Sequence, residues 1–160
     1  MGSTSDLPVM EKACKWLDDN EIPFEVNALS AHRTPDAVEA FAKGAQERGI
    51  KVIIAAAGMA AALPGVIAAS TNLPVIGVPI KGMLDGLDAM LRIIQMPPGI
   101  PTATVGVNAA QNAAILAAQI IGLSDSAVAA KVAAHKAGLG AKIEKANKDL
   151  AEVKYNFKTN

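Results

Sequence analysis

The sequence predicts an α/β fold: a three-layer arrangement in which a parallel sheet carries helices on both faces. Three observations predict it. Short runs rich in Val, Ile and Ala alternate with longer stretches whose apolar residues recur at helical spacing. The runs at 51–56 and 74–79 are apolar on both faces, as strands buried between helix layers must be. Loops of small residues follow them, and such a sheet binds ligands at the carboxyl ends of its strands.

Residues 1–6, Met-Gly-Ser-Thr-Ser-Asp, read either as a phosphate-binding turn feeding a helix or as a capped, disordered start of chain. A helix over 7–20 follows, with Val9, Ala13, Trp16 and Leu17 at helical spacing. Residues 24–29 read as the first strand. Thr34 is placed to cap, and Pro35 to open, a helix over 35–48 that Gly49 stops. The strand at 51–56 runs into a small-residue loop at 57–65 and a helix to about Ser70, and the strand at 74–79 into a loop at 81–86. A helix over 87–95 places Leu87, Met90, Leu91 and Ile94 on one face. Residues 96–101 hold three prolines and cannot be regular. A fourth strand is expected at 102–107, an Ala-rich helix at 108–122, and a helical tail from 124 to about 155, interrupted at Gly138-Leu139-Gly140. The Ala-rich helix is too uniformly apolar to face water and the tail projects beyond a finished core. Both are expected to pack on neighbouring subunits of a homo-oligomer.

At 160 residues the chain is long enough for one domain with a substantial core and too short for two of ordinary size. Hydrophobic residues make up 51% but aromatics 3%, so the core is built from small aliphatic side chains. Fifteen basic and fifteen acidic side chains cancel, which argues against nucleic acid as a partner. Cys14 is the only cysteine, so no internal disulfide forms, and His32 and His135 add too little for a Cys/His metal cluster. The expected compartment is reducing and cytoplasmic. No apolar run escapes Gly and Pro long enough to span a membrane.

The chemistry concentrates in Ser30-Ala31-His32-Arg33-Thr34-Pro35, on the loop between the first strand and the helix after it. A helix N-terminus offers unpaired N–H groups and a positive dipole end to an anion. Arg33 adds a bidentate phosphate donor. His32 supplies the side chain that both gives and takes a proton near neutrality. Together they indicate a phosphorylated small molecule undergoing proton transfer.

Five motifs give the chain a specific likeness: G-S-x-S-D at 2–6, S-A-H-R-T-P at 30–35, A-G-x-A-A-x-L-P-G at 57–65, P-V-I-G-V-P at 74–79 and Q-M-P-x-G-I-P at 95–101. In order and spacing the chain resembles the class I N5-carboxyaminoimidazole ribonucleotide mutases of purine biosynthesis. The resemblance implies a flavodoxin-like homo-octamer, with residues 1–123 as catalytic domain and 124–160 as a helical tail packing on neighbouring subunits. It implies transfer of a carboxylate from N5 to C4 of the ribonucleotide without ATP, metal or organic cofactor. Carried over, Ser3 and Arg33 bind the substrate phosphate with help from Ser30, Asp6 accepts from the ribose hydroxyls, and Ser5 supports the turn and the imidazole ring. Ala57 and Gly58 offer backbone N–H groups to the migrating carboxylate, and His32 is the acid/base. Gly58, Met59, Ala60 and Leu63 are expected to line a dry pocket that holds the freed carbon dioxide.

Two departures accompany the resemblance. Ala62 stands where the family commonly has His, which bears on turnover more than on binding. Family members also place a hydrophobic strand directly before Gly-Ser, for which a chain starting at Met1 has no room, so the usual first strand is expected to be missing. An upstream start missed or trimmed would account for that. Two rival readings are a class II relative using free carbon dioxide with aminoimidazole ribonucleotide, and a non-catalytic nucleotide-binding module. His135 is read as solvated or at a subunit contact and Cys14 as core filler. Lys81 and Asp85 are read as edging the pocket in a structural role.

Overall fold

The computed structural model describes residues 1–160. In chain order its elements are α1 (Leu7–Asp19), α2 (Pro35–Gly44), β1 (Ile53–Gly58), α3 (Leu63–Ala69), β2 (Val75–Ile80), α4 (Leu87–Ile94), β3 (Ala103–Thr104), α5 (Ala110–Gly122) and α6 (Ser126–Glu152). The strands form one parallel sheet in the order β1-β2-β3. β1 and β2 pair from Ile53 against Val75 to Gly58 against Ile80.

Alternate residues of a strand face opposite sides of its sheet, and two cores divide on that pattern. Ala56, Ile76, Val78 and Ile80 pack with Met10, Trp16 and Leu17 of α1 and with the alanines of α5. Ile53, Ala55, Ala57 and Val75 pack against Val38 and Ala42 of α2, Leu63 and Ile67 of α3, and Ala89 and Ile93 of α4. The expected three layers are present, and the fold is flavodoxin-like. At Gly77 of β2 the helix layer approaches so closely that a Cβ would overlap Ile93 Cγ2.

Several sequence expectations are corrected. Residues 24–29 are extended but form no strand. A strand needs a ladder partner along its length, and this segment bonds through its main chain only to Met1. The Met1 amine donates to the Asn27 carbonyl at 2.9 Å, and the Leu29 N–H to the Met1 carbonyl at 2.8 Å. Gly2 N–H in turn reaches Ala56 O at 3.1 Å, so residues 1 and 2 alone bridge this segment to β1. Farther along, an apolar groove of about 490 Å³ separates the two, lined from α1 by Met10, Ala13 and Cys14. β1 is an edge of the ladder.

β1 extends two residues beyond the expected 51–56, so Ala57 and Gly58 end a strand instead of opening a loop. β3 is only Ala103–Thr104, against the expected 102–107. Its neighbour Pro79 has no N–H to donate, and the ladder gives way to single bonds, Val105 N–H to Gly77 O at 3.2 Å and Asn108 N–H to Pro79 O at 2.9 Å. Asn108 takes a left-handed φ of 58°, which delays the start of α5. α2 stops at Gly44, and residues 45–49 turn until Gly49, at φ 85°, releases the chain.

α5 buries Ala110, Ala113, Ala114, Ala117 and Ala118 within its own chain, so this face needs no neighbouring subunit. Methyl groups at the contact let α1 and the sheet approach closely. On α4 the buried residues are Ala89 and Ile93, while Leu87, Leu91 and Ile94 of the expected apolar face remain exposed. α6 runs through Gly138 and Gly140 without a break. Asp125 caps it, accepting from the N–H groups of Ala127 and Val128 at 3.0 and 3.1 Å. The first turns of α6 pack on α1 and α5, whereas every residue from Lys136 to Glu152 is exposed.

Candidate active site

A cleft of about 620 Å³ opens where β1 and β2 end, and it gathers residues from four separate loops. All eight residues singled out in the sequence line it: Ser3, Ser5, Asp6, Ser30, His32, Arg33, Ala57 and Gly58.

The Gly2 end is a built turn. Ser3 caps a short 3-10 turn, Thr4–Asp6: its hydroxyl accepts from Ser5 N–H at 3.3 Å, and the Asp6 carboxylate accepts from Ser3 N–H at 3.3 Å. This reciprocal capping box fixes the carboxylate of a residue that is only 8% exposed. The Ser5 hydroxyl donates to the other Asp6 oxygen at 3.5 Å. Of the two readings left open for residues 1–6, an ordered turn feeding α1 is the one observed.

The second wall is the loop from Ser30 to Thr34. Thr34 occupies the N-cap position of α2, but its hydroxyl makes no cap bond. It closes the loop instead, accepting from Ser30 N–H at 3.1 Å and donating to Ser30 O at 3.2 Å. Ser30 Oγ accepts from both the backbone N–H and Nε of Arg33, at 3.2 and 3.3 Å. Arg33 Nη2 donates to Gly2 O at 3.0 Å, which ties this loop to the first turn. Two bonds, through Nε and Nη2, therefore hold the guanidinium at the Gly2 end with further N–H groups to spare. His32, exposed on the same turn, has no hydrogen bond within the chain. Its ring is free to exchange a proton with something in the cleft.

The floor is the end of β1 and the turn after it. A Cβ on Gly58 would stand 3.3 Å from Ile80 O, so the neighbouring strand leaves little room for a side chain there. Met59 and Ala61 take positive φ values of 54° and 34°, a strained route into α3 that is closed by Ala61 N–H on Gly58 O at 3.0 Å. Ala62 and Leu63 line the cleft with Met59, whereas Ala60 does not. Lys81, read from the sequence as edging the pocket, lines it, whereas Asp85, read the same way, does not; Ile80 and Gly82, which the sequence reading passed over, line the cleft beside Lys81. The signal was their position, since a parallel strand delivers the residues at its carboxyl end to the site.

The AIR carboxylase family profile matches residues 1–142. The chain belongs to that family. Among other members, the Pyrococcus abyssi protein called N5-carboxyaminoimidazole ribonucleotide mutase is 60% identical over 124 residues, 77% of this chain and 71% of its own length. The Thermotoga maritima protein of the same name is 49% identical over 156 residues, 97% of this chain and 91% of its own. The crystal structure of Treponema denticola PurE superposes with a TM-score of 0.82 at 30% identity, covering 94% of each chain. The AIR carboxylase match extends past residue 123 into α6, the helix whose first turns pack on α1 and α5.

Proposed function

We propose that this chain is an isomerase that converts N5-carboxyaminoimidazole ribonucleotide to 4-carboxy-5-aminoimidazole ribonucleotide in de novo purine biosynthesis. One observation carries the reading: an unpartnered imidazole, His32, shares a cleft at the strand ends with the anchored guanidinium of Arg33.

Arg33, Ser3 and Ser30 hold the phosphate, the guanidinium giving the donors not used on Gly2 and Ser30. Asp6 would repel that phosphate unless aimed elsewhere. Held in its capping box, it keeps lone pairs that suit the ribose hydroxyls as donors. Ser5 braces the turn and borders the imidazole ring of the substrate. Ala57 and Gly58 present their backbone to the migrating carboxylate.

As the imidazolium, His32 gives its proton to N5 while the N5–carboxylate bond breaks and carbon dioxide departs. The C4 carbon then attacks the trapped carbon dioxide, and neutral His32 takes the C4 proton, which returns the imidazolium. Protons and carbon balance over the cycle, and the residues supply the chemistry without metal or cofactor. Met59, Ala61 and Leu63 provide an apolar lining against loss of the gas.

The same reading makes the chain a cytoplasmic homo-oligomer, an octamer, with residues 1–123 as the catalytic unit and 124–160 packing on neighbours. Exposed Leu139, Ile143 and Leu150 on the outer half of α6 and Leu87, Leu91 and Ile94 on α4 support it, since surfaces of this kind seek a partner. No helix is long and apolar enough to cross a membrane. The deciding assay supplies either the N5-carboxylated ribonucleotide alone or aminoimidazole ribonucleotide with bicarbonate. Product from the first supports the mutase. Product from the second alone reassigns the chain to the class II carboxylases, and binding without turnover leaves a nucleotide-binding module.

A further inference from the structure

We infer that Lys81 is a second cationic ligand for the substrate, the counter-charge of the migrating carboxylate, and that Asp85 holds it in reserve while the cleft is free. The inference rests on the mutase reading and names a binding residue that reading leaves out.

Apart from His32, the cations lining the cleft are Arg33 and Lys81, and they stand on opposite sides of β1. Arg33 is fixed at the Gly2 turn, which joins β1 through Ala56 O. Lys81 follows Ile80, the last residue of β2, and Ile80 pairs with Gly58. One cation therefore serves the phosphate end, and the other stands one strand over from Gly58, where the carboxylate is handled. A ligand with two separated anionic groups matches two separated cations.

The main chain at Lys81 is held more firmly than its side chain. Asn108 Oδ1 accepts from Lys81 N–H at 2.9 Å, and Asn108 N–H donates to Pro79 O at 2.9 Å, so a left-handed asparagine clamps the exit of β2. The ammonium is 2.9 Å from Asp85 Oδ1, in a pair whose side chains are 59% and 87% exposed. An exposed pair of this kind is weak and readily exchanged for another anion. Asp85 sits in a loop with positive φ at Leu84, Asp85 and Gly86, 45°, 55° and 88°, which carries its carboxylate back over Lys81.

The test compares a ligand bearing the carboxylate with one lacking it. Calorimetric binding of 4-carboxy-5-aminoimidazole ribonucleotide and of aminoimidazole ribonucleotide is measured in a His32→Asn background, so that no turnover intervenes. Lys81→Gln is expected to weaken the carboxylated ligand about tenfold and the other less than about twofold. Lys81→Arg should retain most of the affinity, and Asp85→Asn should tighten the carboxylated ligand a few-fold. Equal losses for the two ligands, or none, would overturn the inference and leave the mutase reading intact. Failure of either ligand to bind while Lys81 is in place would remove the mutase reading and this inference with it.

Discussion

The indole N–H of Trp16 donates to Nδ1 of His135 at 3.2 Å, the two rings meeting edge to face with centroids 5.4 Å apart. Trp16 lies on α1, which begins at the cleft, and His135 lies about a third of the way along α6. This contact and the Lys131–Glu21 pair are the polar ties between the long helix and the α1 region.

Replacing His135 with Ala leaves a buried indole donor without its acceptor. A destabilisation of about 1–2 kcal/mol is expected. Urea unfolding followed by the emission of Trp16, the only tryptophan in the chain, measures it, together with a red shift in the folded baseline. An unchanged midpoint and spectrum would mean that α6 is held by its other contacts alone.

His32→Asn keeps a polar side chain on the turn but cannot carry the proton. Turnover should fall by at least about a hundredfold. Ligand affinity should stay within a few-fold, because no anchor of the loop passes through His32. Arg33→Ala should do the reverse first, raising KM by about tenfold or more as charge-assisted bonds are lost. Steady-state kinetics paired with calorimetry separates the two, and parent-level activity in His32→Asn would remove the mechanism.

Ala62 lines the cleft just before α3, with a half-buried methyl group. Ala62→His places there the imidazole that the class I mutases commonly carry. Several-fold faster turnover with little change in KM is expected, read as kcat against KM for the two chains. A higher KM without faster turnover would show that the cleft is already shaped around the methyl group.

Burial pushes the Cys14 thiol up from its ordinary range. Alkylation by iodoacetamide at neutral pH should therefore be slower than that of an unfolded peptide thiol. The folded state holds this proton more tightly than the unfolded chain does. The resulting stability is intact below the ordinary thiol range and is lost as pH rises through the raised value. Thermal melts of the parent should fall more steeply in alkali than those of Cys14→Ala.

The site was more legible in the sequence than the sheet was. Its chemistry is local: a serine caps its own turn, and an arginine three residues after Ser30 folds back onto that hydroxyl. What spacing records, spacing reveals. Residues 24–29 carried a strand-like pattern, but pairing is decided by whatever main chain lies alongside, which local sequence does not record. The shortness of β3 turned on Pro79 in its neighbour, a position that reads as an ordinary strand residue until the register is known. Gly138 and Gly140 looked like a break because glycine disfavours a helix interior, yet the flanking alanines and lysines carry α6 through. Lys81, read from the sequence as edging the pocket, does line the cleft, but a lone lysine after a strand carries no signature of anything more.

The five buried alanines of α5 have a consequence for how this protein can change over generations. A methyl-lined seam has almost nothing left to trim, and any larger side chain must push whole backbones apart. Neutral drift should therefore stall along that one helix face, and repair of a damaged α5 would have to come from simultaneous changes on α1 or on the sheet residues packed beneath it.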